Sequence, residues 1–284
     1  MIQAAAAAAR AASPLAEQLE PSAADMAIEA RFYDWQRAHW LHGSGDHVEL
    51  YDVLARGRGG PVLELGCGTG SVAAELAVRG HHVVALDANP HALRAAERQL
   101  GSAGVESRVE LVEGDMRAFD LERSFSLVVL DDDAFQRLLD AGAQRDCLDC
   151  VARHLSPGGR AVFQLSPFEL AGETGEIFEH RVTDFFEGSA AVVAMYERIR
   201  QERALGLTHF DQRYVVFHPG VEPLTFETTL RLRTVHRFEM ALLLETAGLR
   251  ARVISGNDAE AGRHAGERAP FPAQTRVIIA ERLG

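Results

Sequence analysis

The chain has 284 residues, 47% of them hydrophobic, enough to bury a full core as one α/β domain with an addition. Lys and Arg number 29 against 41 Asp and Glu, a formal charge of −12 that argues against a general nucleic-acid footprint. No apolar run approaches the roughly 18 to 20 residues of a membrane span, and cysteines 67, 147 and 150 form no disulfide framework.

The alanines from Ala4 to Ala9 lack the leucine-rich centre of a signal peptide, so residues 1–22 read as a frayed leader and a cytoplasmic location is expected. Residues 23–56 read as helical and carry Phe32, Tyr33, Trp35, Trp40 and Tyr51, an unusual share of the large rings. Across 57–166, strands recur at crossover spacing: PVLELG, HVVALD, RVELVEGD, FSLVVLD and GRAVFQL. Helical segments such as NPHALRAAERQLGSAG alternate with them, which predicts a parallel sheet with helices on both faces. Cys147 and Cys150 form a lone CxxC within helical spacing; without a second pair, helix packing outweighs zinc. The rhythm changes over 167–237. Residues 188–205 suggest another helix, then FDQRYVVFHPG and EPLTFETTLRLRTV two antiparallel strands, an addition suited to capping a site or pairing subunits. Residues 238–284 return a helix and two strands to the core sheet.

The run PVLELGCGTGS joins a buried strand to a helix through a turn that brings a ligand close to main-chain atoms. Gly66, Gly68 and Gly70 form GxGxG, with Ser71 where a dinucleotide site has its third glycine, and no GK[ST] follows for a phosphate loop. Asp87 ends the second strand, where a carboxylate can accept both hydroxyls of a ribose. The pair points to an adenosine-bearing cofactor.

Taken together, VLELGCGTG, VVALDANPHAL, VEGDMRAF, FSLVVLDDDAF and LSPGGRAVFQL resemble the successive motifs of class I S-adenosylmethionine-dependent methyltransferases. The GDMRAF segment, the aromatic N-terminal segment and the antiparallel addition narrow the likeness to small-molecule N-methyltransferases, including glycine and deoxyaminosugar N-methyltransferases. The resemblance implies a seven-stranded, mostly parallel Rossmann-like sheet under an N-terminal helical lid. It implies S-adenosylmethionine as cofactor, with Gly66, Cys67 and Gly68 against its methionine part and Glu64 supporting the turn. Asp87 would hold the ribose, Ala88 the adenine face and Asp115 the adenine amino group, with Met116 packed on the ring. Asp131 would face the meeting point of methionine amine and acceptor. Asp132 and Asp133 read equally as a solvated helix cap, and Phe135 as core or as cofactor contact.

Tyr33 and Trp40, seven residues apart, share a helix face and are candidates to cover the reacting centre. Phe32, Trp35 and Tyr51 read as docking residues, and His39, His42 and His47 as structural or exposed. His209, His218, Glu169 and Tyr196 lie where an acceptor could be met, each more readily read as structural. Methyl transfer is an in-line displacement governed by positioning and exclusion of water. The expectation is therefore a metal-independent enzyme acting on an amine of a small molecule. An O-methyltransferase with His209 or His218 as base, or with a metal at Asp131, is the alternative, and a non-catalytic cofactor-binding partner protein a second.

Overall fold

The computed structural model describes residues 20–40, 44–57, 59–166, 177–186, 189–255 and 276–282. The leader up to residue 19, His42 and Glu169 lie outside the described residues, as do the side chains of Trp40 and His47.

Five parallel strands form the centre: β1 (Val62–Leu65), β2 (Val83–Asp87), β3 (Val109–Glu113), β4 (Phe125–Leu130) and β5 (Leu155–Leu165). With β10 (Leu249–Ser255) and β11 (Arg276–Arg282), which pair antiparallel, they make a seven-stranded sheet in the order β10-β11-β5-β4-β1-β2-β3. Strands β1 and β4 are buried at every position because helices cover both faces, which is why they read as unbroken apolar runs. The crossovers are α3 (Ser71–Val78), α4 (Pro90–Ala103) and α5 (Ala141–His154). Pro90 starts α4 behind the Asn89 cap, whose side chain accepts from the His91 and Ala92 N–H groups, and Asp140 caps α5 through Ala143. Cys147 and Cys150 are buried on α5 in the core, as the packing reading expected.

The second layer departs from expectation. Residues 188–205, read as a helix, contain instead the strand β7 (Val192–Glu202). With β6 (Glu179–Phe185), β8 (Leu207–Phe217) and β9 (Leu224–Arg233) it builds a four-stranded antiparallel sheet in sequential order, twice the strands expected. The Arg, Glu and Gln of YERIRQE are good helix formers, but β7 lies between two partners, and eleven paired positions with β8 outweigh a propensity of tenths of a kcal/mol per residue.

The N-terminal segment divides into α1 (Ala23–Trp40) and α2 (Ser44–Arg56), followed in the core by α6 (Arg237–Thr246) before β10. A capping box starts α1: the Ser22 hydroxyl accepts from the Asp25 N–H, and Asp25 accepts from the Ser22 N–H. Phe32 and Trp35 pack on Val193, Met195, Tyr214 and Val216 of the four-stranded sheet, with Phe32 stacked on Tyr214 at 4.2 Å. On α2, Val48, Tyr51 and Ala55 pack on the seven-stranded sheet beside Val62 and Leu127. The docking reading of Phe32, Trp35 and Tyr51 therefore holds. Phe135 is core as well, fully buried and edge-on to Phe163.

Gly70 precedes α3 in a left-handed conformation, φ 82°, and a Cβ there would lie 2.9 Å from the Ala96 Cβ on α4. Gly70→Val should therefore cost about 2 to 4 kcal/mol, combining left-handed strain with overpacking. Gly80, also left-handed but with no neighbour within 4 Å, supplies the control. Gly80→Val should cost only the backbone part, about 1 to 2 kcal/mol, and urea denaturation of both variants measures the difference.

Candidate active site

The carboxyl ends of β1, β2, β3 and β4 open on a cleft of about 380 Å³, within the range of small-molecule sites. The glycine turn forms its floor. The Gly68 N–H donates to Asp87 Oδ2 at 2.7 Å and the Asn89 N–H to Asp87 Oδ1 at 2.7 Å, so one carboxylate ties the turn to the end of β2. Burial pushes the Asp87 carboxyl up, and these two N–H groups oppose the shift. Gly68 is left-handed, φ 55°, and a Cβ built on it meets no protein atom within 4 Å: it would project into open space at the cleft floor. Along one wall, Ala88 precedes α4, and Asp115 and Met116 follow β3. Asp115 also pairs with Arg117, 2.7 Å away, which in turn reaches Glu20.

The other wall comes from α1 and the turn after β4. Asp132 and Asp133 are left-handed at φ 46° and 60°, conformations a non-glycine side chain rarely adopts. The Tyr33 hydroxyl donates to Asp132, and the Tyr51 hydroxyl donates to Asp131 at 2.6 Å. Both phenols are pushed up, first by burial and then by these carboxylates, so both remain donors. Asp133 accepts the Ser166 N–H at 2.7 Å, and its own N–H donates to Gln164. Beneath the turn Glu64 is buried; burial and the Asp131 charge push its carboxyl well up, and its Oε2 has no hydrogen-bond partner among the described residues. Arg37 lies within electrostatic reach of Glu64, Asp131 and Asp132.

Helix α1 is bonded to the floor at three further points. Thr69 of the glycine turn donates to Asp34 at 2.6 Å, Asn89 donates to the Met26 carbonyl at 2.9 Å, and Arg137 pairs with Glu29 at 2.9 Å.

Of the residues singled out in the sequence, Tyr33, Gly66, Gly68, Asp87, Ala88, Asp115 and Met116 line the cleft; Glu64, Cys67 and Asp131 stand behind its surface. His209 does not belong with them. It lies on β8, buried and 3.5 Å from Glu202, and burial together with the Arg200 charge pushes its imidazole down. Its side chain shares a face with Asp211 and Arg213, opposite to Tyr214, which packs on α1. His218 is exposed after β8, Tyr196 packs edge-on to His180, and His39 bonds Asp184 and the Trp35 carbonyl in a structural role. Sequence reasoning missed Glu29, Asp34 and Arg137 and left Asp132 between a helix cap and a site residue. The signal for the lid was present: Asp25, Glu29, Tyr33 and Arg37 recur every fourth residue, a polar stripe along one helix face.

The sequence profile of the family described as "Methyltransferase domain" matches residues 62–159. A demethylmenaquinone methyltransferase of Clavibacter sepedonicus is 37% identical over 191 residues, covering 57% of this chain and 73% of that protein. A cypemycin N-terminal methyltransferase of a Streptomyces species is 29% identical over 228 residues, 79% of this chain and 84% of that protein. Among solved structures, the CcbJ methyltransferase of Streptomyces caelestis superposes with a TM-score of 0.69 at 25% identity, over 93% of this chain and 100% of that one. The chain belongs to the class I S-adenosylmethionine-dependent methyltransferases. It is an enzyme of that class related to small-molecule N-methyltransferases, and it methylates a small molecule.

The site also sets a pH dependence of stability. Burial first, then the Asp132 charge, pushes the Asp133 carboxyl up to about 7, against about 3.9 in an unfolded chain. Between these values the folded protein binds more protons than the unfolded one, so stability falls as pH rises from about 4 to about 7. Asp133→Asn keeps an acceptor for the Ser166 N–H and should flatten that fall, read from melting temperatures at pH 5 and pH 8.

Proposed function

We infer that the protein transfers a methyl group from S-adenosylmethionine to a nitrogen of a small-molecule acceptor, in natural-product biosynthesis. The observation that carries this reading is the acidic end of the cleft, where Asp131 and Asp132 are each held by a tyrosine hydroxyl beside the glycine turn. Fixed carboxylates favour an amine, which arrives as a cation, over a neutral hydroxyl. The likeness to a protein whose name gives an N-terminal methylation supports it. The alternative bases for O-methylation, His209 and His218, stand on β8 and just after it, and neither lines the cleft.

The residues present fit the cofactor: a side chain at Gly68 would fill the space the ligand needs, and Asp87 stands at the strand end where a ribose would lie. When bound, S-adenosylmethionine supplies a methyl carbon that leaves sulfur, the bonding pair staying on sulfur. Gly66, Cys67 and Gly68 receive its methionine part through main-chain atoms, with Glu64 behind the turn. Asp87 holds the ribose hydroxyls, Ala88 and Met116 flank the adenine, and Asp115, steadied by Arg117, takes its amino group. Tyr33 covers the reacting centre and excludes water. Asp132 on the cleft wall draws in the acceptor ammonium, with the Asp131 charge behind it, and the free amine presents its lone pair once the proton has left. Positioning supplies much of the catalysis, and no metal is required.

Asp87→Ala should weaken S-adenosylhomocysteine binding by about 1 to 3 kcal/mol in calorimetry; unchanged affinity in a folded variant removes the ribose assignment. With methyl-labelled S-adenosylmethionine and an amine panel, the label should appear on nitrogen. Turnover should survive thorough chelation, and kcat/KM should rise with pH through the ionisation of the free amine. A methyl ether as product, or activity lost to EDTA and restored by magnesium, overturns the reading.

A further inference from the structure

Strand β9 ends the four-stranded sheet, so one of its edges has no strand beyond it among the described residues. Three hydrogen bonds fix which main-chain groups lie on that edge. The Thr234 N–H donates to the Gly206 carbonyl, toward β8. Pairing between β8 and β9 continues without a register shift, so residues 232 and 230 also turn their main-chain groups inward, and 233, 231 and 229 turn theirs outward. Two side chains already use the outward set. The Arg233 carbonyl accepts from Gln136 Nε2 at 3.1 Å, and the Thr229 carbonyl from Arg231 Nη1 at 3.3 Å.

This edge borders the active-site cleft. Thr229, Leu230 and Arg231 line the same cleft as Tyr33 and Asp132. Beyond them, Gln136 covers the edge at Arg233. Arg231 adds a spare donor: its Nε is buried and has no hydrogen-bond partner among the described residues. The two other arginines of the cleft are engaged, Arg117 with Asp115 and Glu20, and Arg137 with Glu29. A buried guanidinium N–H left unmatched is costly, and a carbonyl oxygen would match it.

Outward N–H and C=O groups recurring every second residue, about 7 Å apart along a strand, match the repeat of an extended peptide. A lone amine or an amino sugar has no such repeat. We propose that the small-molecule acceptor is a short peptide whose first residues lie along the β9 edge as an added strand, bonded to the main chain of Thr229 and Arg231. Its terminal amine then reaches the Asp131 and Asp132 end of the cleft, and the Arg231 side chain receives one of its carbonyls. The inference rests on the nitrogen reading and names its substrate class. The amine lone pair forms the new N–C bond as the C–S bond breaks with its pair on sulfur, and the extra proton on nitrogen passes to solvent.

The test offers the enzyme, with labelled S-adenosylmethionine, three pools: random tetrapeptide amides with free amino termini, the twenty amino-acid amides, and a set of amino sugars. Tetrapeptides should be methylated with kcat/KM at least tenfold above the corresponding amino-acid amides. In the best tetrapeptide, replacing the second or third peptide N–H by an ester oxygen should raise KM tenfold or more and leave kcat within about twofold. Thr229→Pro removes an outward N–H and leaves the main-chain bonds to β8, though it also removes the Thr229 hydroxyl bond to Asp211, for which Thr229→Val is the control. The proline variant should raise KM for the peptide and leave S-adenosylhomocysteine affinity unchanged; if that variant does not fold, the ester peptides decide alone. Peptides no better than single amides, esters as good as amides, or methylation of amino sugars alone overturns the peptide proposal and spares the nitrogen reading. Failure of every amine overturns both.

Discussion

The structure is organised around a concentration of carboxylates at the carboxyl ends of the central parallel strands. Glu64, Asp87, Asp131, Asp132 and Asp133 stand at or just beyond the ends of β1, β2 and β4, and Glu64, Asp131 and Asp133 are buried. Taking ionised groups out of water is costly unless donors meet them. The core supplies some: the Gly68 and Asn89 N–H groups at Asp87 and the Ser166 N–H at Asp133. The phenols that reach Asp131 and Asp132 come from α2 and α1, which precede the core in sequence. The lid is thus attached by the charges it covers, and the same contacts wall the cleft.

Helix α1 has two covered sides, and this makes it the joint between layers. Phe32 and Trp35 belong to the apolar cluster of the four-stranded sheet, while Glu29, Tyr33 and Asp34 bond Arg137, Asp132 and Thr69 around the cleft. Thr228 on β9 reaches Asp25 in the first turn of the same helix. A displacement of the antiparallel sheet would therefore move the wall that α1 gives the cleft. The edge of β9 and the glycine turn are held in one frame by a single helix, so a ligand along one is placed relative to a ligand on the other.

Most of the core was legible because buried parallel strands write themselves as short apolar runs closed by turn residues, as in VLELG and FSLVVLD. One side of the cleft was legible in its placement: Gly66, Gly68 and Asp87 stand at strand ends that the pattern fixes, the resemblance added Ala88, Asp115 and Met116, and all six line the cleft. The rest depended on tertiary partners. β6 is exposed at nearly every position, so it carries no periodic apolar signal, and β7 is a strand only because β6 and β8 flank it. His209 was weighed by its chemistry without knowing which face of β8 it occupies. Glu29 and Arg137 meet across 108 residues of sequence, a distance no local pattern spans. Tyr51 was read as packing, and it does pack, but its hydroxyl also closes on Asp131.

On the nitrogen reading, the acid-rich end has a further consequence. During transfer, positive charge passes from sulfur to nitrogen, and the net charge in the cleft is the same before and after. Carboxylates that favoured only one of these positions would tax the reaction at the other. Asp131 and Asp132 are consecutive, and opposite backbone demands separate them: Asp131 points toward Tyr51 behind the floor, and Asp132, in its left-handed conformation, toward Tyr33 in the cleft wall. Their negative charge is thereby divided between the cleft wall and the layer behind it, held by donors that need not reorient as the charge in the cleft moves. That arrangement gives the strained turn after β4 a physical purpose: a relaxed turn there would not aim two neighbouring carboxylates at tyrosines on two different helices.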